Sequence, residues 1–257
     1  MSRSILSNWV ALLVIGLIQF AVTPVLIRGL GDEQYGLWVL VFSLLSYFAI
    51  FDLGMQTAVL RFVARASGEG DRTFLNEILL SALFVASGVA LLVLGLTALL
   101  AWLLPEFLRL GPELTTPFRR LLGLLGVAVA AEFITRVLGN YLGGLSRFDL
   151  YNVARVAATG LRATLLVLAV NLGYGLVELG AAVLASALLG LPLHAWLVLQ
   201  ADPSLGLRGV RPQRSRLKDL VAFGGISFLI TAGNYLRFHV SLTIVARVLT
   251  VGLITPF

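Results

Sequence analysis

Apolar runs of about 20 residues recur along the chain, each long enough to cross roughly 30 Å of hydrocarbon. No other feature limits the fold so severely. Inside a bilayer no water satisfies the backbone, so a spanning segment must close its own hydrogen bonds, as a helix does. Of the 257 residues, 59% are hydrophobic and only 12% charged, against roughly 25% charged in ordinary soluble domains. A single large soluble core is excluded, because it would leave no polar faces for water. The chain is therefore predicted to be all-α, a polytopic membrane helix bundle.

Seven helices are predicted, at Asn8–Ile27, Gly36–Leu60, Phe74–Leu104, Phe118–Leu142, Leu150–Val170, Leu176–Leu199 and Leu220–Val240. Breakers separate them: Gly29-Leu30-Gly31-Asp32, Ser67-Gly68-Glu69-Gly70-Asp71, Leu110-Gly111-Pro112 and Asn171-Leu172-Gly173-Tyr174-Gly175. Residues 201–219 differ from their surroundings, with five basic residues, two prolines and few large apolar side chains. They read as a cytoplasmic linker between a six-helix bundle (residues 1–200) and the start of a second (residues 220–257). Its charges act as a topogenic signal or meet anionic headgroups. The last stretch, from Arg247 to Phe257, carries no polar tail or capping pattern and reads as the edge of a fragment.

Basic residues set the orientation. One side collects Arg3, Arg61, Arg65, Arg72, Arg147, Arg155, Arg208, Arg211, Arg214, Arg216 and Lys218, and the other Arg28, Arg109, Arg119 and Arg120. Eleven against four places the N-terminus in the cytoplasm. Trp9 to Ile27 resembles a signal peptide after Arg3, but no small-residue cleavage pattern follows, so it is read as a retained anchor. The net charge of +6 is almost wholly arginine, with Lys218 the sole lysine. It marks loops rather than a nucleic-acid surface. There is no cysteine, and His194 and His239 lie far apart, so no metal-ligand spacing exists and no cofactor is indicated.

The chemistry lies in charges buried within the spans. A guanidinium at the middle of a membrane helix costs about 2.5–3.5 kcal/mol on insertion scales, so such residues face a wet cavity, a counter-charge or an anionic ligand. Glu132, Arg136 and Asn140 repeat every four residues in the fourth helix, on one stripe that should look into the bundle, with the acid in the favourable N-terminal position. The fifth helix carries Arg155, Thr159 and Arg162 on one stripe. Glu132 is expected to pair with only one arginine. For Arg162 two readings stand: a salt bridge to a distant acid such as Asp52 or Glu178, or the cationic wall of a cavity whose guanidinium forks bind phosphate oxygens. The candidate substrate-binding residues are thus Arg136, Arg155, Arg162 and Asn140. Asp52, in Phe51-Asp52-Leu53-Gly54, and Glu132 are candidates for gating or charge pairing. Gly54 offers close packing or a hinge.

Weaker signals accompany these. Pro24, Gly88, Gly160, Gly190 and Pro192 permit kinks. Trp38, Trp102 and Trp196 fall near span ends, where interfacial anchors belong. His194 is read as a packed core histidine without a function.

The segment from Asn8 to Arg65 resembles the N-terminal signature of polysaccharide biosynthesis and export proteins. These are the lipid-linked oligosaccharide (O-antigen type) flippases of the multidrug/oligosaccharidyl-lipid/polysaccharide exporter superfamily. Pro24-Val25-Leu26-Ile27-Arg28-Gly29-Leu30-Gly31, Gln34-Tyr35-Gly36-Leu37-Trp38, Phe51-Asp52-Leu53-Gly54 and Arg61-Phe62-Val63-Ala64 carry it, with Gly143-Gly144-Leu145-Ser146-Arg147-Phe148 and Asn152 further on. The resemblance implies two six-helix lobes around a cavity, of which this chain supplies the N-terminal lobe and a seventh helix. Relatives often carry an aspartate in that helix after an aromatic-polar pair, whereas Phe238-His239-Val240-Ser241 has none.

The leading expectation is a transporter of the cytoplasmic (inner) membrane that flips polyprenyl-pyrophosphate-linked oligosaccharide by alternating access, for cell-surface polysaccharide such as lipopolysaccharide O-antigen. Its partners would be the lipid-linked oligosaccharide and membrane lipids, with no nucleic acid, and a second half or homodimer if the chain is naturally this short. A multidrug or small-cation antiporter of the same superfamily would want a carboxylate-lined cavity. A non-transporting scaffold would pair all its buried charges internally. A membrane glycosyltransferase would need a catalytic carboxylate pair or metal motif, and the short loops offer neither.

Overall fold

The first apolar run folds into α1 (Ser2–Ser46), a 45-residue helix that leaves helical geometry once, at Gly31 (φ 71°, ψ 172°). A straight helix of that length would run about 68 Å, roughly twice the hydrocarbon thickness. The break falls within the breaker cluster expected there, at a positive φ that glycine adopts freely. This computed structural model describes residues 2–52, 54–206 and 211–229. Among them there is no strand, as predicted for an all-α bundle.

The predicted second helix, Gly36–Leu60, is not continuous. Its first half belongs to α1, a 3-10 turn follows at Tyr47–Asp52, and its second half opens α2 (Met55–Glu69). Gly54 sits at the break with φ 69°, and a Cβ there would lie 2.3 Å from the carbonyl oxygen of Gly224. Two backbones meet at that point, so no side chain fits. The packing role anticipated for Gly54 is thus present, and the helix breaks to provide it.

The remaining helices are α3 (Arg72–Phe107), α4 (Pro112–Gly144), α5 (Phe148–Asn171) and α6 (Leu176–Ala201), with a further helical stretch at 214–229. Each lies between breakers that the sequence announces. Gly70 ends α2 with φ 70°, and the Asp71 carboxylate accepts the Phe74 N–H at 2.9 Å to cap α3. Pro112 opens α4, where a missing N–H costs nothing. Five helices, counting Ser7–Asp52 as one, are long and apolar enough to cross a membrane among the described residues.

α4 is the axis of the bundle and packs against α2, α3 and α6, while α5 packs against α1 and α6. Lipid tails are as apolar as leucine, so association depends on close packing rather than on escape from water. Small residues at the contacts allow it: Ala82, Ala86 and Ala90 of α3 and Ala128, Ala130 and Ala131 of α4 are all buried. Phe118 and Tyr141 are also fully buried, while other large side chains turn outward, Phe20 at 80% and Phe107 at 81% exposure among them. Trp102 and Trp196 are exposed, as anchors would be, but Trp38 is not. It is buried, with its ring 4.6 Å from that of Phe42. Being apolar, the indole fills space between helices here instead of meeting an interface.

The basic segments converge on one end of the bundle. Arg72 Nη1 donates to Asp202 Oδ1 at 2.7 Å, and the Tyr141 hydroxyl donates to Asp202 Oδ2 at 2.9 Å. Ser204 donates to the same carboxylate at 2.6 Å. Gln213 Nε2 and Arg216 Nε donate to the two oxygens of buried Glu77 at 2.5 and 2.9 Å. Arg216 also stacks 4.2 Å over the Phe74 ring. The predicted linker is therefore held against the bundle at both described ends, and its last residues are already helical from 214, ahead of the expected start at Leu220. Residues from 230 onward, including Phe238-His239-Val240-Ser241, lie outside the described residues.

Candidate functional site

A cavity of about 860 Å³ opens between α1, α4, α5 and α6. Both limbs of α1 reach it, Val22 and Leu26 before the break at Gly31 and Trp38 and Phe42 after it. Its polar wall comes from the two stripes legible in the sequence. Glu132, Arg136 and Asn140 enter from α4, and Arg155, Thr159 and Arg162 from α5. A spacing of four residues returns to one helix face, and α4 and α5 turn those faces toward the same space.

Glu132 does not choose between the arginines. One of its oxygens accepts from Arg136 Nη2 at 3.4 Å and the other from Arg162 Nη2. Arg162 thus pairs across to α4, not with Asp52 or Glu178. The expectation of a single partner overlooked that a carboxylate has two acceptor oxygens, which neighbouring helices can share. The remaining hydrogen-bonding edge of Arg162 is engaged too: Nε donates to Ser186 Oγ at 3.3 Å, while Ser186 donates to the Val183 carbonyl at 2.6 Å. The guanidinium is therefore oriented from two helices besides its own.

Arg155 is different. No carboxylate pairs with it among the described residues; its guanidinium carbon lies 5.5 Å from the Tyr151 ring centre. Arg136 faces the Phe133 ring in the same way at 5.4 Å. Asn140 is buried and spends its amide on the Arg136 carbonyl, 2.8 Å away on its own helix. Three guanidinium groups thus face one carboxylate on this wall, a surplus of positive charge in a space that water reaches.

Asp52 stands apart from that wall. It lines a smaller cavity of about 90 Å³ with Gln56, Phe133, Arg136, Asn140 and the 214–229 helix. Among the described residues it forms no ion pair. Arg136, Gln56 and Asn140 border both cavities, so α4 is the partition between them.

Several lining residues were missed from the sequence. Gln19 and Thr23 of α1, Gln56, Thr135, Tyr151 and Ser186 all border the large cavity. Polar side chains four apart in an apolar run, as Gln19 and Thr23 are, were the available signal. His194 is buried, with Nδ1 2.8 Å from the Gly190 carbonyl, as a packed histidine would be, yet it also borders the cavity.

Residues 2–251 match a protein family described as polysaccharide biosynthesis protein. Among curated proteins no match is found. Several solved structures are similar. A MATE protein aligns with a TM-score of 0.76 at 21% identity, over 87% of this chain and 51% of its own. A MOP-superfamily transporter from Pyrococcus furiosus, described as having a binding pocket of reverse polarity, aligns with a TM-score of 0.73 at 19% identity, over 88% and 52%. The outward-facing conformation of a multidrug resistance MATE family transporter gives 0.72 at 20% identity, over 88% and 52%. The chain therefore spans about half the length of the structures it resembles, and what it shares with them is the fold of a transporter lobe.

Proposed function

This chain belongs to the polysaccharide biosynthesis protein family, and from that premise we propose that it helps move a polyprenyl-pyrophosphate-linked oligosaccharide across the cytoplasmic membrane by alternating access. The observation that carries this reading is the surplus of guanidinium over carboxylate on the cavity wall. A diphosphate brings at least two negative charges and several acceptor oxygens, and arginine forks match such oxygens two at a time. The polar sugar needs the same shelter from hydrocarbon, while the prenyl chain can stay in lipid. On this reading Arg136, Arg155 and Arg162, with Asn140, hold the anionic head group, and Glu132 and Asp52 serve charge pairing or gating.

The same reading makes residues 1–200 the first lobe, 201–219 the tether and 220–257 the start of a second lobe, with the N-terminus cytoplasmic. The convergence of the Arg72 and Arg216 segments at one end of the bundle supports that orientation through the preference of arginine for the cytoplasmic side.

Similarity to multidrug transporters raises a second reading, export of a cationic drug. It is disfavoured here by charge, since a cation entering this cavity meets three arginines and one partly neutralised glutamate. The deciding experiment is Arg162→Ala, assayed for translocation of a fluorescent lipid-linked oligosaccharide in vesicles holding the complete transporter. The variant should insert normally and lose most of its translocation. Undiminished flipping would count against the cationic site, and binding of an organic cation in preference to a prenyl diphosphate would favour the drug reading.

A further inference from the structure

We propose that Glu132 is a built-in stand-in for the ligand anion: it occupies the place between Arg136 and Arg162 where phosphate oxygens bind, and an arriving diphosphate displaces it. The inference rests on the anionic-substrate reading above and assigns how that same site is filled and emptied.

The geometry points this way. Glu132 gives one oxygen to each of two guanidiniums carried by different helices, so its carboxylate bridges α4 and α5 as a bidentate anion would. The pair lies on a cavity wall and not in the packed core; the side chains keep 28% exposure at Glu132, 36% at Arg136 and 35% at Arg162. Exposure of that order means an incoming anion can reach the guanidiniums. It also means the displaced carboxylate can turn into water, whereas a fully buried acid would be left as an uncompensated charge in the interior.

The three arginines then have different tasks. Among the described residues Arg155 has no acidic partner and lies against the Tyr151 ring, so its donors are open to the first contact. Arg136 and Arg162 are masked until Glu132 leaves. Ser186 keeps Arg162 oriented through Nε while Nη2 is released, so the fork stays aimed during the exchange. Among the described residues no other carboxylate lines this cavity; its further polar groups include Gln19 and Thr23 from α1, Gln56 from α2, and Ser186 and His194 from α6. A masked site of this kind binds its ligand less tightly than bare arginines would. That suits a carrier, which must release on the far side what it took up on the near side.

The test is binding to the purified chain in detergent, with inorganic pyrophosphate and a short prenyl diphosphate titrated side by side. Glu132→Gln keeps the side chain's shape and removes the competing charge, so affinity should rise by about ten-fold or more. Glu132→Asp, too short to bridge both helices, should fall between the two. In an Arg162→Ala background the gain from Glu132→Gln should shrink, because one masked partner is already gone. A gain with both ligands assigns recognition to the diphosphate group itself, and a gain with the prenyl compound alone assigns it to a lipid-borne diphosphate; either supports displacement. Equal or weaker binding by Glu132→Gln, or an undiminished gain in the Arg162→Ala background, overturns it. If Arg155→Ala still abolishes binding in that case, the anionic site survives and only the stand-in role is lost. Absence of diphosphate binding by every variant sinks both.

Discussion

Two groups of charges built from the same residue types behave in opposite ways. At the basic end of the bundle, Asp202 pairs with Arg72 and Glu77 with Arg216, which also reaches Asp219 at 3.9 Å, and Tyr141, Ser204 and Gln213 add hydrogen bonds to the two buried carboxylates. In the cavity, one carboxylate is divided between two arginines, and among the described residues a third arginine has none. A saturated network fixes geometry, because each donor and acceptor would be left unpaired by movement. An unsaturated one keeps binding capacity in reserve. On the proposed reading, pairing completeness, not the presence of charge, separates a structural clamp from a ligand site.

The comparison can be broken by substitutions that should act on one group alone. The largest effect is expected from Arg155→Glu. It places a carboxylate where the open guanidinium stood and should weaken diphosphate binding by roughly a hundred-fold, the loss of charge-assisted contacts worth about 1.5–3 kcal/mol each. The melting temperature in detergent should hold, since among the described residues Arg155 has no acidic partner to abandon. A large drop in melting temperature would make Arg155 a structural residue after all.

At the other group the pattern should reverse. Glu77→Gln removes the charge that Arg216 and Gln213 grip and should cost about 1–3 kcal/mol of stability, seen as a lower melting temperature with diphosphate affinity unchanged. Loss of affinity at unaltered melting would mean that the two groups are coupled.

A smaller effect should follow Tyr141→Phe, which deletes one hydrogen bond to buried Asp202, about 1 kcal/mol. The same residue sharpens the comparison through pH. Burial pushes the Asp202 carboxyl up, but hydrogen bonds from Ser204 and Tyr141 and the charge of Arg72 outweigh it and hold the group below the ordinary carboxylate value. A folded-state pKa below the unfolded one means that ionised Asp202 stabilises fully above about pH 4 and that this contribution fades as pH falls through the lower folded value. Acid unfolding should therefore lose part of its steepness in Tyr141→Phe. An identical acid profile in the two proteins would show that the hydroxyl does not help hold the charge.

Much of this was legible in the residues. The apolar runs fixed an all-helical membrane bundle, because a backbone in hydrocarbon has no partner but itself. Breakers at Gly31, Gly70, Gly111 and Gly173 located the turns, and a repeat of four placed Glu132, Arg136 and Asn140 on one face and Arg155 with Arg162 on another. These are local properties, set by dihedral preference and helical pitch, so one strand of sequence suffices to state them. What lay across helices was not legible. That Glu132 reaches both Arg136 and Arg162, that Trp38 is buried against Phe42, that Gly54 meets the Gly224 backbone and that Asp52 opens on a separate cavity depend on how helices rotate and approach. In lipid that choice rests on van der Waals fit and on a few polar contacts between faces distant in sequence, and no spacing along the chain encodes it.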